Sequence, residues 1–298
     1  MKQFLLNILK VSSSVLATVL LLVLGTYLII TSDSFKKPYI IPNGKSIVII
    51  GDSHTVYGID DSIFYQSFNA ARSGTAYIYS YVVLRNLIKE NPGIEKVLLS
   101  FHGGSFVKSM DKWTTGDDYI REYLPSYFSL LDKEEILFFA KRKPFLSSII
   151  RLPIKKVLNI INFIKKNDHT YKDLNIGGYE RLDRNQLKKD IEFQKNQKNK
   201  EDEGHSQYQL EYLLKIAELC KIHGIELILI NLPIYNSEIY GNKAALMEFY
   251  EDYLAGIKYV DLSDFPLPED AYSDIDHVNY KGAEKLSAYL ENNYKELF

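Results

Sequence analysis

Three observations predict an α/β fold with a parallel sheet covered by helices on both faces. Short apolar, β-branched runs recur along the chain, and each stops abruptly at a turn. Segments with apolar residues at helical spacing separate these runs. The polar residues with chemical potential follow the ends of the runs, where an open parallel sheet keeps its ligand sites.

The chain has 298 residues, enough for a core that stands without covalent staples. Its hydrophobic and charged fractions, 46% and 25%, are those of an ordinary globular protein. A formal net charge of -2 excludes the strongly basic character of a nucleic-acid binder. The single cysteine, Cys220, lies in a helical pattern and reads as a buried thiol, so no intrachain disulfide forms.

Residues 1–10 form a short tail carrying Lys2 and Lys10. Residues 11–30, Val11 to Ile30, contain no charged side chain. Twenty helical residues span roughly 30 Å, the hydrocarbon thickness of a bilayer. The stretch reads as a transmembrane anchor rather than a cleaved signal peptide, because it is long and no small-x-small cleavage site follows it cleanly. The tail has no acidic residue, which favours a cytoplasmic N-terminus and an extracytoplasmic domain, periplasmic or on the outer face. Residues 31–45, with Pro38, Pro42 and Gly44, read as a linker to a domain over 46–298.

Within that domain Ser46-Ile-Val-Ile-Ile50 predicts a buried strand ending at Gly51-Asp52-Ser53-His54. A short segment follows over Phe68 to Gly74, then a helix over Tyr77 to Lys89. Lys96-Val-Leu-Leu-Ser-Phe101 predicts another strand, ending at His102-Gly103-Gly104. A helix over Ser206 to His223 is closed by Gly224. Strands over Ile225 to Asn231 and Lys258 to Leu262 flank a helix over Ala245 to Leu254, and Asn279 to Leu297 predicts the last helix.

Residues 107–205 break the alternation and read as a helical insertion at the strand-end face. From Ile136 to Asn167 there are eight lysines and arginines and no acidic residue. Apolar residues interleave with them. The pattern fits either a helix lying on anionic headgroups or a membrane partner, or an ordinary helix with a solvated basic face. Gln194 to Gly204 is charged, lacks apolar side chains and reads as an exposed loop.

Two short motifs carry chemistry. Gly51-Asp52-Ser53 follows the first strand, and Asp274-Ile-Asp-His277 precedes the last helix. A serine hydroxyl is a weak nucleophile and needs a base within hydrogen-bond reach. An imidazole serves, and a carboxylate fixes its tautomer. Asp274 is the expected partner of His277, with Asp276 as the alternative. Asn231 ends a strand beside the same face, and Arg72 and His54 are weaker candidates for contact with substrate. Trp113 and the tyrosines around it are candidates for stacking on a sugar ring or for packing. The histidines show no metal-ligand spacing, and Gly177-Gly178-Tyr179 is too short for a phosphate loop, so neither metal nor cofactor is expected.

These motifs resemble those of the SGNH (GDSL-type) hydrolase superfamily over about residues 46–298. Ile49-Ile-Gly51-Asp-Ser-His is similar to its first block, Asn69-Ala-Ala-Arg-Ser-Gly74 to its second and Asp274-Ile-Asp-His277-Val-Asn279 to its last. The resemblance implies a three-layer α/β sandwich. It also implies catalytic Ser53, Asp274 and His277, with the amides of Ser53 and Gly74 lining an oxyanion hole. The family's third block offers an asparagine that is missing at Ser100-Phe-His102-Gly-Gly-Ser105, so His102, Ser105 or the Gly103-Gly104 backbone is expected to donate instead. One membrane-anchored branch combines a single span with an extracytoplasmic domain and acts in envelope glycan O-acetylation or D-alanylation beside a multi-span acyltransferase. Likeness to it implies serine-dependent acyl transfer, most simply of acetyl, to a cell-envelope polysaccharide. The alternatives are a carbohydrate esterase or a non-catalytic glycan-binding partner.

Overall fold

In the computed structural model the chain is described over residues 2–30, 40–149, 151, 177–195, 204–240 and 242–298. Five short strands form one sheet: β1 (Ile47–Ile50), β2 (Ser67–Asn69), β3 (Lys96–Ser100), β4 (Glu226–Asn231) and β5 (Lys258–Asp261). Every pairing is parallel, in the order β2-β1-β3-β4-β5. The order reverses between β1 and β3, and a doubly wound sheet opens a crevice at such a switch point.

The helices are α1 (Lys2–Ile30), α2 (Ser53–Gly58), α3 (Tyr77–Glu90), α4 (Asp111–Thr115), α5 (Asp117–Tyr127) and α6 (Lys133–Ala140). They continue with α7 (Leu187–Lys195), α8 (Gln207–Ile222), α9 (Ser237–Tyr240), α10 (Lys243–Tyr253) and α11 (Tyr280–Leu297). The strands and helices expected from apolar periodicity lie within a few residues of these bounds. Capping explains several ends. The Ser206 hydroxyl accepts from the Gln209 amide to open α8, and the Asn279 side chain accepts from the Lys281 amide to open α11.

Successive strand residues enter opposite faces of the sheet. Val48, Ile50, Val97, Leu99 and Leu229 join the larger core with residues of α3, α8 and α10. Ile47, Ile49, Leu98, Ile228 and Ile230 join a second core with Leu286 and Leu290 of α11. Both faces are thus covered, which is why the strands read as unbroken apolar runs. Cys220 is buried on α8, and burial pushes its thiol up to about 12.

Val107 and His205 pair in an antiparallel bridge, so the chain leaves and rejoins the α/β frame at one place. Between them α4, α5 and α6 pack beside α3, and residues 177–186 run back over the strand-end face. Most of the basic stretch 136–167, and most of the charged loop, lie outside the described residues. Of the basic residues that are described, Arg142 lies with its guanidinium carbon 3.6 Å from the Phe138 ring centre and so packs on the fold.

Helix α1 is 29 residues long. Several side chains of its second half fall outside the described residues, and among the described residues no helix is long and apolar enough to cross a membrane.

Candidate active site

The site grows from the end of β1. Gly51 leaves the strand at φ +133°, and a Cβ there would lie 2.4 Å from the Ser100 Cβ of β3. Only glycine lets the turn pass so close to its neighbour. Asp52 caps the short helix α2, accepting from the His54 amide at 3.1 Å, and Ser53 becomes the first helical residue. The end of β2 holds α2 in place. Asn69, 2% exposed, donates through Nδ2 to the carbonyls of Thr55 and Ile59 at 2.9 and 2.8 Å.

The second motif folds as a tight loop before α11. One carboxylate oxygen of Asp274, Oδ1, accepts from the amides of Asp276 and His277 at 3.0 and 2.8 Å. The same oxygen lies 2.8 Å from His277 Nδ1. On the other side of the ring, Nε2 lies 2.8 Å from Ser53 Oγ. An ionised carboxylate only accepts, so Nδ1 carries the proton, and Nε2 is free to accept from the serine hydroxyl. Burial alone would raise the Asp274 carboxyl. The hydrogen bond and charge of His277, and then those of Arg184, more than offset it and hold the group at about 2. Asp276 gives its amide to this loop, and among the described residues its exposed side chain makes no hydrogen bond to the His277 ring.

Arg184 is a contact that sequence reasoning missed. Its Nη2 meets the second oxygen of Asp274, and its Nε lies 3.3 Å from the Ser273 hydroxyl. It belongs to a strap over residues 177–186 that touches the segments of the first, second and last motifs. Gly178 donates to the Ala71 carbonyl at 2.9 Å, Glu180 to Val56 at 3.1 Å and Gln186 to Ser273 at 2.7 Å, while Leu182 accepts from Tyr280 at 3.0 Å. No local pattern signals a residue that reaches a site 90 positions away.

Gly74 stands at φ +72°, with Tyr123 Oη 2.1 Å from where a Cβ would sit. Among the described residues neither its amide nor that of Ser53 has a hydrogen-bond acceptor. Two free amides can serve an oxyanion. The expected help from the third motif needs correction. His102 is not available as a side-chain donor, because its Nε2 is held by Asp52 Oδ2 at 2.8 Å and its Nδ1 accepts from the Gly104 amide at 3.2 Å. Ser105 is buried, and its hydroxyl accepts from the His102 amide at 3.1 Å. Gly103 is left as the one amide of that turn without a partner among the described residues.

The Asp52–His102 pair supports the wall of the site. Burial opposes the charge on Asp52, but His102, then His54 and Ser100, hold its carboxyl far below the usual range. The His54 ring stacks on His102 at 3.7 Å between centres. Burial pushes His54 well below the ordinary imidazole value, so it stays neutral. His54 and Asn231 line one cavity. Arg72 does not join them. Its guanidinium lies over the rings of Tyr123 and Tyr127 at 5.5 and 5.4 Å, with Nη1 buried. Trp113 stacks on Tyr119 at 5.0 Å between ring centres, beside Gly74.

A protein-family model matches residues 163–298, the part of the chain that carries Arg184, Asp274 and His277 but not Ser53. No curated protein matches the chain at a significant level. Among solved structures, one similar to it is a protein of Bacteroides fragilis named provisionally as an acylhydrolase. That pair shares 14% identity over 89% of this chain and 95% of the other, with a TM-score of 0.40. Another is a GDSL-like lipase of Bacteroides thetaiotaomicron, at 10% identity over 89% and 96% of the two chains and a TM-score of 0.39. Both likenesses are distant, and the chemistry of the site stands on its own geometry.

Proposed function

We propose that this chain is a serine-dependent acyl-transfer protein of the SGNH type. In particular, it moves an acyl group, most simply acetyl, onto a hydroxyl of a cell-envelope polysaccharide. The observation that carries the reading is the unbroken relay from Ser53 Oγ through His277 to Asp274, both links at 2.8 Å. Ser53 attacks the donor carbonyl as His277 Nε2 takes its proton. The amides of Ser53 and Gly74 hold the oxyanion. The tetrahedral intermediate collapses, His277 returns the proton to the leaving group, and acyl-Ser53 remains. An acceptor hydroxyl then gives its proton to His277 and attacks the acyl carbon. The Ser53 ester bond breaks, and the serine recovers the proton. Water in place of the acceptor would make the same site an esterase.

The uncharged stretch Val11 to Ile30 supports a membrane tether, with the N-terminus cytoplasmic and the site outside. In that setting a multi-span membrane acyltransferase is the fitting donor of acyl groups. The test is labelling with a fluorophosphonate. Ser53 is expected to react in the full chain, and Ser53→Ala to lose both the label and glycan acylation in cells. Full acylation in the Ser53→Ala strain would overturn the reading. Release of free acid without any transfer to sugar would favour the esterase.

A further inference from the structure

The relay asks more of His277 than its two hydrogen bonds supply. Nδ1 is held by Asp274 Oδ1 at 2.8 Å, and that oxygen is itself fixed by two amides. Nε2 is held by Ser53 Oγ at 2.8 Å. An acylated Ser53 has no hydroxyl proton to give, so this second bond is lost midway through the reaction. Only the hydrogen bond at Nδ1 then restrains rotation of the ring about its bond to Cβ. Yet Nε2 must stay aimed at the hydroxyl that attacks next, because proton transfer needs hydrogen-bond geometry.

Two rings of α2 flank the imidazole. The first is His54, buried, with its centre 5.2 Å from that of His277 and the planes inclined by 46°. It is clamped in turn, stacked on His102, which Asp52 holds. The second is Tyr57, half-buried, whose ring meets that of His277 in a T-shaped contact at 5.4 Å and 85°. Aromatic pairs favour this geometry and range. The helix explains how Tyr57 comes to be there. Ser53 and Tyr57 stand four apart, so they share one face of α2, and a helical side chain leans back toward the N-terminus. Tyr57 thus returns over the turn that carries the nucleophile, where His277 lies. Its ring makes the contact, for among the described residues no hydrogen bond joins its hydroxyl to the relay.

We propose that Tyr57 is a positioning residue of the relay: its ring, with that of His54, brackets the His277 imidazole and keeps Nε2 on line once Ser53 is acylated. The bracket is a property of the three rings. The step at which it matters rests on the acyl-transfer reading above, since acylation is what removes the serine bond. In that step the acceptor hydroxyl gives its proton to Nε2, its oxygen bonds the acyl carbon, and the Ser53 ester bond breaks. Tyr57 exchanges no proton and acts through His277 alone. Water as the attacker makes the same demand on the ring.

The test uses the full chain in detergent micelles. Burst kinetics with p-nitrophenyl acetate separate formation of acyl-Ser53 from its breakdown. Tyr57→Ala is expected to slow breakdown at least about tenfold and formation less than about threefold, the cost of a misaimed group. Tyr57→Phe keeps the ring and is expected to recover most of that loss. Equal loss in both steps, or no recovery in Tyr57→Phe, would overturn the inference. A second readout needs no turnover. With histidine labelled with carbon-13 at Cε1, the His277 signal is identified by its absence in His277→Ala. It is expected to be single and sharp in the parent chain and in Tyr57→Phe, and broadened or split in Tyr57→Ala, with folding checked by thermal melts. An unchanged signal in Tyr57→Ala would also overturn the inference. The two readouts keep it apart from the proposed function. A chain that forms no acyl-Ser53, but whose His277 signal broadens in Tyr57→Ala, sinks the proposed function and supports the bracket. A chain that acylates, with neither readout changed by Tyr57→Ala, sinks the bracket alone.

Discussion

At the scale of the residue, Asp274 carries most of the site's electrostatics. One of its oxygens takes two amides and the His277 ring, and the other meets Arg184. Its carboxyl is held at about 2 against an ordinary 3.8. A carboxyl depressed on folding stabilises the native state above its unfolded value, and the gain is lost as the pH falls through the folded one. Asp274 therefore contributes roughly 2 kcal/mol at neutral pH, lost between about pH 4 and pH 2. Arg184→Gln removes part of the cause, so acid unfolding followed by circular dichroism is expected to begin at a higher pH than in the parent chain. The same change should lower kcat/KM for an activated acetyl ester about tenfold, with Arg184→Lys restoring part of it. Asp274→Asn removes the acceptor that orients the imidazole, and a loss of about 10⁴ in kcat is expected.

At the scale of the element, the strap over residues 177–186 matters most. It crosses from the loop after β2 to the loop before α11 and brings Arg184 to Asp274. Its anchor is Gly177, at φ +122°, where a Cβ would lie 1.9 Å from the Ala71 carbonyl oxygen and 2.5 Å from that of Ala70. Both are backbone atoms at the end of a strand and have little room to yield. Gly177→Ala combines a disfavoured φ with this overlap, and each such strain costs about 1–3 kcal/mol. The variant is expected to lower the melting temperature and to open the strap to limited proteolysis, with activity falling in step. Proteolysis at the parent rate would show that the strap contributes little to the site. The small helix α2 depends in the same way on Asn69, whose two side-chain hydrogen bonds tie it to β2.

At the scale of the whole molecule, the chain enters β1, an inner strand, at the end of the sheet opposite to the site. Ser53, His102, Asn231 and the loop with His277 all lie beyond the carboxyl ends of the strands. On the proposal of a tether through residues 11–30, the full chain is expected to stay with membranes through an alkaline carbonate wash and to be released by detergent. Release by carbonate alone would remove the tether from the proposal and leave the chemistry of Ser53 untouched.

Much of this was legible in the order of residues. Apolar β-branched runs ending in Gly51, His102 and Asn231 place a parallel sheet and its functional edge, because a strand buried on both faces must be apolar throughout and must stop at a turn. Ser53 and the Asp274–His277 pair were legible too, since each belongs to a short local motif. Tertiary structure alone decided what depends on distant approach. It spent His102 on Asp52. It laid Arg72 over two tyrosine rings, brought Arg184 back over the site, and opened the cavity lined by His54 and Ser263. Local pattern encodes periodicity and turns; which side chain meets a given partner is settled only when segments 50 to 200 residues apart pack against each other.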